Sequence, residues 1–537
     1  MGDVLAGAGL FAAVFAAAAA IVWAPSARRS AAMLLALALI PVLICADQWQ
    51  SAEIVDLRDD AARFAALGFA AALAVAGLTF LFRHRPILVP LALVAAVPFR
   101  IPIEAGGEEA NLLVPLYLVI GGGVLATIWT WWVERGAVSS AGDERAGGGP
   151  LGRTRGRALG VVLATVIVLY AIQSVYSEDF SRALQNAVFF YVPFALAFAL
   201  LADCRWDRRL LSWTIAVVAA EALVFCLFGF WEYGARHLIW NPEVIQSNDF
   251  HTYFRVNSLF WDPNIYGRYL ALTLTALVAV LLWIRGYRTV LWVGVLAIVL
   301  WLGLVTTFSQ SSFAALLAGM AALAALRWSL RWTLFASVAA AVAAAAFVLA
   351  AAGSLKIDLS TERELNQDTG GRANLVSEGI GLFGDRPLWG YGSGSFPVAY
   401  QEHRTGGSGQ LSVSHTEPVT VAAEQGLVGL AAYIALLTVA FATLLRGMRA
   451  LMPGLRGPPP GDGRTALLAA ARAAVLACFI ALIAHTMAYA GFLEDPLTWV
   501  LLAIGGSLAF ASGTELEPAV VHEETEAVVA SGARAPA

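Results

Sequence analysis

Charged residues are scarce in this chain. Of its 537 residues, 13% are charged and 59% are hydrophobic, whereas a soluble globular chain carries about 25% charged residues. This deficit excludes an ordinary soluble domain and predicts a polytopic integral membrane protein. The net charge is −4 and no basic stripe is present, so nothing favours nucleic acid as a partner.

Cysteine is equally rare. The four cysteines are far apart and form no Cys-x-x-Cys or Cys/His spacing, which excludes a zinc site or a disulfide framework of the usual kind. The loops predicted to be external contain no Asp-x-Asp pair to hold a divalent cation. We therefore predict neither a metal site nor a cofactor.

Long apolar runs dominate what is present. A bilayer core of about 30 Å requires roughly 20 apolar residues of helix, and the sequence has about fifteen such runs. We expect an all-α fold with spans that start near residues 4, 30, 61, 86, 112, 158, 182, 210, 264, 289, 311, 331, 417, 466 and 496.

The loops between these runs alternate in charge. Arginine-rich loops such as "APSARRS", "RHRP", "CRWDRR" and "RGYR" fall at every second junction, and the intervening loops, such as "IEAGGEEAN" and "SVYSEDFS", are acidic. Positive loops stay in the cytoplasm. The pattern predicts an outside N-terminus, an inside C-terminus and two long external segments.

The predicted organisation has five parts. The large external loop contains a helical pattern, "ANLVSEGIGLF", followed by the turn signals of "DRPLWGYGSG". Long polar loops at a membrane surface usually bind or process a ligand. The parts are N-terminal transmembrane helices of unassigned role (1–157), a transmembrane core (158–352) with an external loop (233–264), the large external loop (353–415), C-terminal transmembrane helices (416–513) and a disordered cytoplasmic tail (514–537).

Four motifs follow one another in the second half of the chain. They are "FRVNSLFWDPNIYGRYLALTL", "TFSQSSFAALLAGM", "GRANLVSEGIGLFGDRPLWGYGSGSF" and "SHTEPVTVAAEQGLVGLAAY". In this order, with a large loop between the last two, the succession resembles the O-antigen ligase and O-antigen polymerase superfamily. The resemblance covers roughly Tyr170 to Ser512 and leaves the first five spans outside.

The resemblance implies a function and a location. Members are membrane glycosyltransferases of the bacterial inner membrane that take a glycan from an undecaprenyl pyrophosphate carrier and act on the periplasmic side. The implied partners are this lipid-linked donor, a glycan, lipid or protein acceptor, and the lipid bilayer. Inversion at the sugar carbon is likewise implied by the resemblance.

His415 is the predicted catalytic base. Its unperturbed pKa of about 6.5 suits proton transfer near neutral pH, and family members are thought to rely on a histidine at this position. Glu424 lies seven residues after Glu417 on one face of the following helix. A carboxylate is costly in hydrocarbon, so Glu424 is expected to face a polar cavity and to orient His415 or an arginine.

Arginines are the predicted diphosphate ligands, because a guanidinium donates two parallel hydrogen bonds to phosphate oxygens. The resemblance implicates Arg255 in this role. Arg372 and Arg386 bracket the helical part of the large loop and are further substrate-binding candidates, although both would alternatively tie the loop to itself through Glu378 or Asp385.

Two positions depart from the family pattern. Gln310 stands where ligases of this family usually have an arginine. We predict that Gln310 binds substrate as a neutral amide and that Arg268 or Arg372, also predicted to bind substrate, compensates for the missing charge. Thr416 stands where an asparagine often follows the histidine. Buried polar residues also leave open a flippase or transporter for the lipid-linked glycan, and a structural scaffold would require neither His415 nor Arg255.

Overall fold

The computed structural model describes most of the chain. The described residues are 2–49, 55, 60–105, 108–134, 157–241, 244–246, 248, 253–355, 372–404, 414–455, 457 and 464–510. The predicted tail 514–537 lies outside them, as do parts of the predicted loop 353–415.

The described chain is built from helices. Those of the first half are α1 (Gly2–Val22), α2 (Ala27–Asp47), α3 (Ala61–His84), α4 (Leu88–Ala96), α5 (Val114–Trp129), α6 (Arg157–Gln173), α7 (Phe180–Asn186), α8 (Val192–Ala202) and α9 (Arg208–Ala235). Those of the second half are α10 (Pro263–Trp283), α11 (Tyr287–Thr306), α12 (Gln310–Arg327), α13 (Leu330–Leu355), α14 (Arg372–Asp385), α15 (Phe396–Arg404), α16 (Glu417–Leu445), α17 (Arg464–Thr486) and α18 (Pro496–Phe510). The predicted all-α class is confirmed.

One antiparallel hairpin interrupts the helices. Strand β1 (Ile101–Ala105) pairs with β2 (Glu108–Leu112), with Ile101 opposite Leu112. The hairpin joins α4 to α5, in a segment that we expected to be a plain acidic loop between two spans.

Twelve helices among the described residues are long and apolar enough to cross a membrane. Each of the twelve agrees with one of the predicted spans. Helices α7 and α8 together count as a single span, Phe180–Ala202. Three other predicted spans are not among the twelve: α4 has nine residues, α18 has fifteen, and α13 contributes only the short apolar stretch Leu330–Ala343. The predicted total of fifteen is therefore not confirmed.

Helices α10, α12 and α17 pack against one another, while α6 packs against α16. The N-terminal helices join the same bundle, since α1 contacts α6 and α8, and α8 contacts α18. Arg29 of α2 forms an ion pair with Asp203, directly after α8. The spans outside the family resemblance thus pack onto those inside it.

Helix α16 is broken near its start. Gly426 has φ of 63° and ψ of −160°, a combination open essentially to glycine alone. A break leaves the carbonyl groups of the preceding turn without their helical partners. The N–H groups of Tyr391 and Gly392 replace these partners, donating to the carbonyls of Ala423 at 3.1 Å and Glu424 at 2.8 Å.

The 386–394 loop, between α14 and α15, thereby braces the break on both sides. Beyond it, the N–H of Leu427 donates to the carbonyl of Pro387 at 2.7 Å. A Cβ at Gly426 would lie 2.4 Å from the carbonyl oxygen of Leu388. Glycine at this position is therefore required for the loop to approach the helix.

Replacing Gly426 by alanine should destabilise the protein. The Gly426→Ala variant places a methyl group against the Leu388 carbonyl and holds a non-glycine residue in a strained conformation, at a cost of at least about 1–3 kcal/mol. We expect a lower unfolding temperature for the purified protein. Gly294→Ala is the control, because an added Cβ there meets nothing within 4 Å. Equal unfolding temperatures for the two variants would contradict this role of Gly426.

Candidate functional site

A cavity of about 340 Å³ lies at the end of the bundle where α10 and α16 begin and α17 ends. Its walls come from segments far apart in the sequence. We call it the His415 cavity. Its charged and titratable lining residues include Arg100, Arg182, Asp262, Arg268, His415, Glu417, Glu424, Tyr489, Glu494 and Asp495.

His415 lies on the rim from which α16 starts. Its φ is 57°, a left-handed conformation that is uncommon outside glycine and is found at functional sites when neighbouring contacts hold it. On one side the Ser414 hydroxyl accepts a hydrogen bond from the Thr416 N–H at 3.2 Å, and on the other the Thr416 hydroxyl donates to the carbonyl of Met487 at 3.3 Å. The histidine is thus fixed by the backbone next to it.

The surroundings of His415 keep its ring neutral. Burial lowers the pKa of His415 below its ordinary value of 6.5, the positive charge of Arg372 lowers it further, and Asp262 partly opposes both. A neutral imidazole at pH 7 accepts a proton. These electrostatics suit the predicted role of a base.

Asp262 caps α10, as the sequence indicates, with Pro263 in the first turn. Its carboxylate accepts hydrogen bonds from the Asn264 N–H and, at 3.2 Å, from the Tyr489 hydroxyl. The side-chain oxygen of Asn264 in turn accepts from the Ser309 hydroxyl at 2.7 Å. Two of the sequence motifs therefore meet at this helix start.

Arg255 lies beside that start rather than in the cavity wall. Its guanidinium donates to the carbonyl of Thr307 at 3.0 Å and to the side-chain oxygen of Asn264 at 3.3 Å. Burial lowers the pKa of Arg255, Asp262 opposes that shift, and Arg372 adds to it. The charge of Arg372 lowers the pKa of both Arg255 and His415. These three predicted site residues therefore lie near one another.

Arg372 is the first residue of α14 and is exposed. An exposed arginine is accessible to an anion.

Arg268 is buried within the bundle. It forms an ion pair with Asp495 at 2.6 Å, and both side chains are 3% exposed. Removing one member of such a pair leaves a buried charge without its partner, which costs several kcal/mol. Arg268 thus faces the cavity, as expected of a substrate ligand, but its charge is already balanced.

Glu424 also lines the cavity, as predicted, but its hydrogen bonds go elsewhere than expected. Its carboxylate accepts from the N–H of Gly394 at 2.9 Å and from the N–H of Phe396 at 3.1 Å. It therefore caps the start of α15, and no hydrogen bond to His415 or to an arginine is found within the described part of the chain. Glu417 is held similarly, accepting from the N–H groups of Gly491 and Phe492.

Arg386 anchors the large loop outside the cavity. It pairs with Glu178 at 2.9 Å and lies 4.2 Å from the centre of the Tyr391 ring. The acids suggested as its alternative partners, Glu378 and Asp385, instead pair with Arg404. The loop is tied to itself by a different arginine from the one expected.

Gln310, the first residue of α12, is exposed and does not line the cavity. Its neighbour Ser309 is buried and caps the helix. The position where the family usually has an arginine therefore contributes a polar group to the surface at this end of the bundle.

Sequence reasoning missed several lining residues. Tyr489, Glu494 and Asp495 come from the segment between the last two helices, and Arg100 comes from the N-terminal region. The adjacent acids in "GFLEDPLTW", at the start of an apolar run, were a visible signal. Arg100 gave no such signal, because its approach to the cavity depends on long-range packing.

The comparisons with known proteins concern the second half of the chain. Residues 295–434 match the family model described as O-Antigen ligase, a stretch from α11 into α16. It contains His415, Glu424, Arg372, Arg386 and Gln310, and it starts after Arg255 and Arg268. No curated protein matches the chain. The match confirms the resemblance to the O-antigen ligase superfamily over residues 295–434.

Proposed function

We propose that this multi-pass membrane protein is an O-antigen ligase-like glycosyltransferase. It transfers a glycan from an undecaprenyl pyrophosphate carrier to an acceptor hydroxyl at the periplasmic face of the bacterial inner membrane. The observation that carries the proposal is a fixed, half-buried histidine with a lowered pKa, in a charged cavity at one end of a transmembrane bundle. The O-antigen ligase domain at residues 295–434 supports the reaction class.

The proposed reaction is a direct displacement. His415 accepts the proton of the acceptor hydroxyl while the acceptor oxygen bonds to the anomeric carbon of the donor. The bond from that carbon to the diphosphate oxygen breaks, and its electron pair leaves with the diphosphate. The transfer inverts the sugar carbon and forms no covalent bond to the protein.

Arg255 and Arg372 stabilise the departing diphosphate. The charge of Arg372 lowers the pKa of both His415 and Arg255, which supports a diphosphate position close to the two guanidinium groups. Arg268 supports this wall from within, through its pair with Asp495. Arg386, which pairs with Glu178, and Gln310, which is exposed, have no part in the proposed step.

The proposed reaction uses no metal ion. Within the described residues, Glu178, Glu402 and His403 are close enough together to hold one, but none of them lines the His415 cavity. The positive charge that a divalent cation would supply to a diphosphate comes from the arginines instead.

A polymerase of the same superfamily is the second candidate. It would use the same donor and the same base, and its acceptor would be a further lipid-linked glycan. The family model covers both possibilities at the level of the reaction.

A transporter for the lipid-linked glycan is a candidate of another class, and it would need polar groups through the depth of the membrane. A second cavity, of about 180 Å³, lies among α4, α9, α10, α17 and α18. Its lining is mainly apolar, with residues such as Val94, Leu272 and Leu501. The charged groups thus line the His415 cavity at one end of the bundle, and the second cavity is apolar. This arrangement of polar groups favours chemistry at that end over transport through the bundle.

The proposal is tested by His415→Ala in cells that lack the wild-type gene. Loss of a general base typically costs about 10²–10⁴-fold in rate, so the variant should resemble the deletion on gels of surface and lipid-linked glycans. Long chains that remain on the carrier would identify a ligase, and single repeat units would identify a polymerase. His237→Ala is the control, because His237 is an exposed histidine outside the cavity. Full activity of His415→Ala at equal expression would exclude the enzyme proposal.

The pH dependence of transfer offers an independent test. His415 must be neutral to accept a proton, so the rate should fall as the pH drops through its lowered pKa. Arg372 lowers that pKa, and Arg372→Gln should therefore raise it and move the acidic limb of the rate profile to higher pH. The initial rate of transfer by the purified protein is measured between pH 5 and pH 8. An acidic limb that stays in place would show that His415 is not the titrating base.

A further inference from the structure

Arg100 lines the His415 cavity although it belongs to the N-terminal region, outside the family match and outside all four motifs. It lies between α4 and β1. Phe99, just before it, packs edge-on against Phe225 of α9 with ring centres 5.6 Å apart, and Phe225 packs against Phe260. These aromatic contacts fix the backbone that carries the guanidinium to the cavity.

The carboxylates around the cavity already have partners. Asp495 pairs with Arg268, and Glu494 accepts a hydrogen bond from the Asn186 amide at 3.1 Å. The others are bonded to backbone N–H groups or to a hydroxyl: Glu417 to Gly491 and Phe492, Glu424 to Gly394 and Phe396, and Asp262 to Asn264 and Tyr489.

Arg100 differs from these groups. It is half-buried, and it shows no hydrogen bond or close ion pair to any residue that the structure describes. Burial lowers its pKa, Asp495 attracts its charge, and Arg268 repels it. Because Asp495 is already paired with Arg268 at 2.6 Å, Arg100 keeps donor capacity that faces the cavity.

We propose that Arg100 binds an oxyanion of the substrate inside the His415 cavity. The N-terminal helices, whose role the sequence leaves unassigned, would thus complete the substrate site of the O-antigen ligase domain. The planar fork of a guanidinium suits phosphate and carboxylate oxygens, to which it donates two hydrogen bonds at once. This inference rests on the proposed function, because it takes the cavity to be the substrate site.

Two sources supply such an oxyanion. One is the diphosphate of the donor, which the proposed reaction brings next to His415. The other is an acidic sugar of the donor or acceptor glycan. Inorganic pyrophosphate and glucuronate are probes that separate the two sources.

The experiment measures the binding of each probe to the purified full-length protein by calorimetry. A hydrogen bond to a charged group contributes about 1.5–3 kcal/mol, so Arg100→Gln should weaken the binding of one probe by about tenfold or more. Arg100→Lys keeps the charge but loses the fork, and should weaken the same probe by a smaller factor. Arg85→Gln is the matched control, since Arg85 is an exposed arginine of the N-terminal region away from the cavity.

Weaker binding of pyrophosphate assigns Arg100 to the donor diphosphate, and weaker binding of glucuronate assigns it to the glycan. The proposal is overturned if the wild-type protein binds neither probe, or if Arg100→Gln binds both as tightly as Arg85→Gln does. Should Arg100→Gln not fold, unchanged binding by Arg100→Lys overturns it instead. None of these readings requires turnover, so a failure of the proposed transfer activity is distinguished from a failure of this inference.

Discussion

The break in α16 at Gly426 is the constraint on which the site depends. A continuous helix would satisfy its own carbonyl groups and leave the 386–394 loop without partners. Because the helix breaks, the loop donates to the exposed carbonyls of Ala423 and Glu424, and the Glu424 side chain caps α15 in return. Backbone hydrogen bonds of this kind are costly to leave unmade in a membrane. The large loop is thereby fixed over the helix that carries His415 on its rim.

The charges of the cavity follow a consistent rule. Its carboxylates are bound by backbone N–H groups, by the Asn186 amide or by Arg268, whereas Arg372 is exposed. An anionic substrate would otherwise be repelled by the acidic wall. With its acids engaged, the cavity can accept a diphosphate beside a neutral histidine, as the proposed transfer requires.

The sequence was sufficient for local features and insufficient for long-range ones. Apolar runs gave the positions of the spans, such as the one predicted to start near residue 264, where α10 begins at Pro263, because this signal depends only on neighbouring residues. The partners of Glu424 and Arg386 were not predictable, since each is set by packing between segments that are distant in sequence. Glu178, which pairs with Arg386, lies more than 200 residues before it along the chain. Arg100 was missed for the same reason.

The central claim is that the reaction occurs in the His415 cavity. It is tested most directly by a cryo-electron microscopy structure of the protein bound to a non-hydrolysable analogue of an undecaprenyl pyrophosphate-linked sugar. The account predicts the diphosphate within hydrogen-bond distance of Arg255 or Arg372, with the first sugar facing His415. A diphosphate bound elsewhere, with the His415 cavity unchanged, would contradict it.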